Sequence, residues 1–218
     1  MKHIFKTWQD ICLLIFLTIL LIFIIAIGFY FYNSIKTTKL ELKNAPFKLS
    51  GQQYDAWAGD HYWIGTDKAP ITIVEFGDFA CPACEQSFLT IREISLKYKN
   101  DIKFIWRDYP VVAEYSALLA LAGHCAGEQG LFWPMHDKLF QNQGVSTTDQ
   151  LTALANQAGA DTVRFKDCLI KQKYLSQIQK DLSDGQTFGN TGTPTWFING
   201  HKVAGDIPYE TFIYIIKD

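Results

Sequence analysis

The stretch Ile71-Thr-Ile-Val-Glu-Phe-Gly-Asp-Phe-Ala-Cys-Pro-Ala-Cys84 changes character halfway along. Its first six residues are rich in β-branched and aromatic side chains, which fit a pleated strand. After a short loop, Cys81 to about Tyr98 predicts a helix. Phe88, Ile91, Ile94 and Leu96 supply its apolar surface, and Pro82 suits a first turn because it has no N–H to lose. Ile102 to Trp106 predicts a second strand, ended by Asp108 and Pro110. A strand–helix–strand opening implies a parallel pair with a helix packed on the sheet.

Beyond Pro110, roughly 75 residues show no strand pattern. Ala117, Ala120, Leu121, His124 and Cys125 fall at helical spacing, as do Leu131, Phe132, Met135, His136, Leu139 and Phe140. Ser146 with Asp149 resembles a helix start, Asp161 is a candidate cap for the next segment, and a further helix is expected from near Gln172 to Leu182, bounded by Gly185 and Gly189. The end of the chain returns to strands. Thr195 to Ile198, then Asn199-Gly200, then His201 to Ala204 predict a hairpin, since Asn-Gly supplies the positive φ angles of a two-residue turn. Pro208 to Ile216 fits a closing helix.

The start of the chain is of another kind. Ile11 to Tyr32 carries no charge, and as a helix it is long enough to span about 30 Å of hydrocarbon. No small-residue cleavage site follows it, so it is expected to be an uncleaved anchor rather than a signal peptide. Lysines flank both sides, so charge does not orient it. Residues 1–10 are then a flank, 11–32 the anchor and 33–60 a tether. The body divides into 61–111 with 172–218 as one α/β domain, and 112–171 as a helical insertion. The whole chain has 218 residues and a net charge of −2, which argues against charge-driven nucleic-acid binding. Five cysteines are too few for a disulfide-dense scaffold.

Two of those cysteines carry the chemistry. Cys81 and Cys84 stand three apart at the start of the expected helix, where the positive end of the dipole and free backbone N–H groups stabilise a thiolate. The second thiol is within reach to resolve a mixed disulfide. Structural zinc sites commonly use two such pairs, and Cys125 and Cys168 are isolated, so no metal is expected. Ile71, Ile73 and Glu75 share one face of the strand, which lets Glu75 point inward and rise in pKa. Trp63, Trp106, Trp133 and Trp196 read as core, with Trp196 and Phe79 as candidates for the border of a groove. His124 and His136 read as structural, and Cys12 as an apolar filler of the anchor.

Three segments together resemble the DsbA-like branch of the thioredoxin superfamily: Ile71 to Cys84, Cys125-Ala-Gly-Glu-Gln-Gly-Leu-Phe-Trp133, and Gly192-Thr-Pro-Thr-Trp-Phe-Ile-Asn-Gly200. The resemblance covers about residues 60–218. It implies an α/β thioredoxin fold with a helical insertion, here preceded by one transmembrane helix. It implies that Cys81 attacks, that Cys84 is the buried resolving thiol, and that Glu75 is the acid beneath the pair. It further implies a cis bond before Pro194 and a Thr193 backbone offered to an extended substrate. The strong oxidase of this branch has histidine between its cysteines, where this chain has Ala83. Isomerase or reductase work therefore stays open.

The expected function is a membrane-anchored thiol:disulfide oxidoreductase. It would face the periplasm or exterior and donate the Cys81–Cys84 disulfide to extracytoplasmic protein thiols, with no dissociable cofactor. By resemblance, a quinone-linked membrane oxidase would reoxidise it. An anchored module that binds extended chains without turnover is the alternative from another class. Cys125 and Cys168 lie on expected helices among apolar neighbours, and in an oxidising compartment they are expected to form a structural disulfide rather than two separate thiols.

Overall fold

The computed structural model describes residues 2–44 and 51–217. The chain divides into two compact units, residues 1–47 and 48–218. In the first, α1 runs from Lys2 to Asn44. Within it Ile11–Ser34, 24 residues, is long and apolar enough to cross a membrane, and its side chains are exposed on every face. The helix extends past both expected limits. Residues 2–10 are helical rather than a separate flank, and residues 33–44 are helical rather than tether. No glycine or proline stands between Gly28 and Pro46, so nothing in the sequence stops the helix earlier. Residues 45–50 of the expected tether lie outside the described residues.

In the second unit, β1 (Trp63–Gly65), β2 (Ile71–Gly77), β3 (Ile102–Asp108), β4 (Thr195–Ile198) and β5 (His201–Ala204) form one sheet in the order β1-β3-β2-β4-β5. β2 and β3 are parallel; the other pairs are antiparallel. The β4–β5 turn places Asn199 at φ 47° and Gly200 at φ 83°, the left-handed geometry that Asn-Gly permits.

Strand alternation sends the two sides of β2 into different cores. Ile71 and Ile73 pack with Ile91 and Ile94 of α2 (Pro82–Lys97) and with Phe212 of the last helix, α8 (Tyr209–Lys217). Val74 and Phe76 pack on the other side with Ile105, Tyr109 and Phe197. Between β3 and β4 come α3 (Ser116–Gly127), α4 (Phe132–Gln141), α5 (Thr148–Gln157), α6 (Thr162–Ile170) and α7 (Leu175–Thr187). The core of α3 to α6 is continuous with Phe79, Cys81, Cys84 and Trp106.

Several expectations move. Residues 51–60 are not a loose lead-in. Tyr54 N–H bonds Gly200 O at 3.0 Å, and buried Arg107 reaches Ala56 O while pairing with Asp181 of α7. β1 is an added edge strand, and its Trp63 is 42% exposed rather than core, lying beneath the Lys103 ammonium. The α5 cap is Thr147, not Ser146. Gln150 reaches back to the Thr147 N–H while the Thr147 hydroxyl accepts from Gln150 N, which leaves Asp149 one position short of the capping box. α7 starts at Leu175 and passes through Gly185, where a Cβ would meet the Tyr109 ring at 2.7 Å. That glycine is there for close packing and does not end the helix.

Candidate active site

Cys81 is the N-cap of α2, and its backbone is extended (φ −84°, ψ 121°), so the helix begins directly beneath its sulfur. The loop before it is organised by Asp78, a buried side chain. Asp78 Oδ1 accepts from Ala80 N–H at 2.8 Å, and Oδ2 accepts from Val111 and Val112 N–H at 2.9 and 2.8 Å. One carboxylate therefore ties the redox loop to the chain leaving β3. Its role escaped the sequence reading, although an aspartate bonding the amide two residues ahead is a familiar turn device.

Both thiols are free. Cys81 is 6% exposed and Cys84 is fully buried. The Thr193–Pro194 bond is cis, and Thr193 O lies 3.2 Å from Cys81 Sγ, accepting from the thiol when it is protonated. The Thr193 hydroxyl is buried and makes no other hydrogen bond.

These groups separate the two cysteines. Cys81 is lowered to about 5, first by the hydrogen bond from Cys84, then by Thr193 and the backbone amides of Cys84 and Ala83, against an opposing effect of burial. Cys84 is pushed far up, chiefly by burial and by serving as donor to Cys81. Ala83 supplies no imidazolium, and the thiolate is held by the thiol and the amides instead. Because Cys81 is depressed in the folded state, its ionisation stabilises the reduced protein fully above the unfolded thiol value of about 8.5. That gain shrinks as pH falls and is gone below about 5.

Glu75 points inward, as the alternation of β2 requires. The sheet register sets it between Trp106 and Trp196, which explains its burial. Its Oε1 has no hydrogen-bond partner. Burial, then the charges of Cys81 and Asp206, raise its pKa well above the usual carboxyl range. Asp206 was not anticipated from the sequence. Its Oδ1 lies 2.6 Å from Ser87 Oγ on α2, at the end of a contact 119 residues long that no local motif announces.

The remaining sequence candidates are core or structural side chains. Trp196 does not border a groove: it is fully buried, its indole N–H donates to Gly205 O at 2.8 Å, and its ring meets Phe212 edge-on. Phe79 is likewise buried, stacked on Trp106 and tilted against Phe140. His124 bonds Asp108 at 2.7 Å, and His136 is enclosed by aromatic rings and held neutral by burial. A disulfide joins Cys125 of α3 to Cys168 of α6, with Cα atoms 5.7 Å apart.

A thioredoxin fold with a dithiol at a helix N-terminus, a cis-proline loop facing it and a buried acid beneath it defines the class of thiol:disulfide oxidoreductase domains. Comparison with known proteins agrees. Residues 58–218 match the sequence model of the thioredoxin family termed Thioredoxin_4, and the chain belongs to that family. The solved structure of oxidised BdbD from Bacillus subtilis is 29% identical and has a TM-score of 0.68, covering 77% of this chain and 95% of that one. That of α-DsbA2 from Wolbachia pipientis also gives 0.68, at 17% identity over 74% of this chain and 88% of the other, and shows the shared fold. Among curated proteins, Na(+)/H(+) antiporter NhaA 1 of Salinispora arenicola is 36% identical over 148 residues, 67% of this chain and 22% of the antiporter. The chain spans about a fifth of the length of the curated relatives it matches. Residues 58–218 thus form a domain of the thioredoxin family with a DsbA-like fold.

Proposed function

We propose that the protein is a membrane-anchored disulfide donor to protein thiols outside the cytoplasm. The observation that carries this reading is the division of labour between Cys81, at the helix N-terminus with its thiol lowered to about 5, and Cys84, fully buried with its thiol pushed up. A substrate thiolate attacks Cys81 Sγ of the oxidised pair. The Cys81–Cys84 bond breaks, a substrate–Cys81 disulfide forms, and Cys84 leaves and takes a proton, for which neutral Glu75 is the proposed source. A second substrate thiolate attacks its own sulfur in the mixed disulfide and releases Cys81 as thiolate. Two substrate thiols become one disulfide, and the pair gains the two electrons.

The low pKa of Cys81 favours donation over reduction. It makes Cys81 the better leaving group and stabilises the reduced pair, and so makes the oxidised pair the stronger oxidant. Thr193 offers backbone to an extended substrate beside the sulfur, and Pro194 shapes that loop. The buried Cys125–Cys168 bridge supports an oxidising compartment, because such bonds are rare in the cytosol. With Ile11–Ser34 as a single span, the body then faces the periplasm or exterior. A quinone-linked membrane oxidase is the proposed acceptor of the electrons. Ion transport belongs to the larger relatives and is not part of this reading.

The test is the pH profile of alkylation in the reduced full chain in detergent. The rate at Cys81 is expected to be half-maximal near pH 5 and to plateau well below the ordinary thiol range of about 8.5. Cys84 should stay unlabelled throughout. A midpoint near that of a free thiol, or faster labelling of Cys84, would contradict the assignment.

A further inference from the structure

The loop between α4 and α5 places one side chain of the insertion against the redox loop. Gln143, half-buried, directs its Nε2 to Phe79 O at 3.0 Å and to Cys81 O at 2.9 Å, 64 and 62 residues away. The carboxamide has two N–H donors, and both are used. Its orientation is forced, because the flipped amide would set its oxygen against two carbonyl oxygens. Cys81 O also accepts the first helical bond of α2, from Glu85 N at 3.1 Å, so both its lone pairs are occupied. Asp78 holds the same loop from within, and Gln143 closes it from outside.

We propose that Gln143 is a positioning residue for the redox pair: its forked hydrogen bonds to Phe79 and Cys81 hold the Cys81 sulfur over the N-terminus of α2 and so maintain its reactivity. The proposal rests on the thiol–disulfide reading. Its physical basis is twofold. Gln143 fixes the peptide plane that follows Cys81 and, one residue further back, the Phe79–Ala80 plane, which restrains the direction of the Cys81 Cβ and with it the contact of Sγ with the amides of Ala83 and Cys84. The carboxamide N–H groups also neutralise part of the negative potential of two carbonyls of the loop that carries the thiolate. Glutamate at this place reverses that effect, since an ionised carboxylate only accepts.

The test compares the full chain with its Gln143→Leu and Gln143→Glu variants, each in detergent. Two quantities are read: the ultraviolet titration of the Cys81 thiolate and the equilibrium of the pair with glutathione buffers. Gln143→Leu is expected to raise the titration midpoint by about one unit. It should also move the equilibrium about tenfold toward the oxidised protein, as loss of thiolate stabilisation requires. Gln143→Glu should shift both at least as far at pH 7. A third measurement needs no variant: the Gln143 carboxamide proton resonances of the wild type should move with the midpoint of Cys81. Midpoints and equilibria unchanged in a folded variant, or carboxamide resonances indifferent to Cys81 ionisation, would overturn the role. If the wild-type pair does not exchange with glutathione at all, it is the thiol–disulfide reading that fails instead.

Discussion

Replacing Cys84 with serine is expected to leave substrate proteins covalently held on Cys81. The thiolate of Cys81 still attacks a disulfide, but nothing behind it can displace the adduct, and the complexes should persist on non-reducing gels and vanish with reductant. Cys81→Ser should abolish both adducts and turnover, a loss of at least about a thousandfold, because the one other thiol in the first turn of α2, Cys84, is fully buried. Glu75→Gln keeps the shape but carries no titratable proton. It should slow departure of Cys84 by about tenfold or more while leaving the Cys81 titration near its wild-type midpoint. Adducts that survive in Cys81→Ser, or a Cys84→Ser variant that turns over normally, would contradict the roles given to the two thiols.

The second large effect concerns stability. Cys125 and Cys168 are both buried in the core shared by α3 to α6, and their bridge closes a separation of 43 residues. Chain entropy alone assigns that closure about 4 kcal/mol. The double variant Cys125→Ala, Cys168→Ala is expected to melt roughly 10 °C lower, measured on the full chain in detergent with Cys81–Cys84 in one redox state throughout. Its transfer of disulfides should stay within about twofold of wild type while folded, because the bridge shares no electrons with Cys81. A melting shift below about 2 °C would show that packing of the insertion does not depend on the bond. Mild reductant should open the Cys81–Cys84 pair well before this buried bond.

Some of this was written locally and could be read locally. Ile71 to Phe76 alternates, and alternation alone turns Glu75 inward; Asn199-Gly200 has few conformations other than the tight turn it adopts. The helix start at Pro82 needs only its neighbours. Other features depend on what the chain meets after folding. β1 has three residues and one half-exposed tryptophan, and it is a strand because β3 offers it an edge. Trp196 and Phe79 look like groove residues by sequence position, yet an indole donor bond and aromatic stacking draw both inside. Gly185 reads as a stop signal until the Tyr109 ring is seen against it. The end of α1 shows no amphipathic period and is helical because the chain lacks a breaker between Gly28 and Pro46. Gln143 and Asp206 reach the site across 62 to 119 residues, and their own surroundings in the sequence give no sign of it.

The central claim is that an oxidised Cys81–Cys84 pair stands outside the membrane, ready to be donated. One measurement on intact cells tests it. In a Cys12→Ser background, a membrane-impermeant maleimide is applied with and without prior treatment by mild dithiol reductant, and labelling is mapped by mass spectrometry. The expected result is little label on Cys81 before reduction and near-complete label after it. Full labelling without reductant would show a resting dithiol and point to a reductase or isomerase. No labelling under either condition would put the body on the cytoplasmic side and contradict the account.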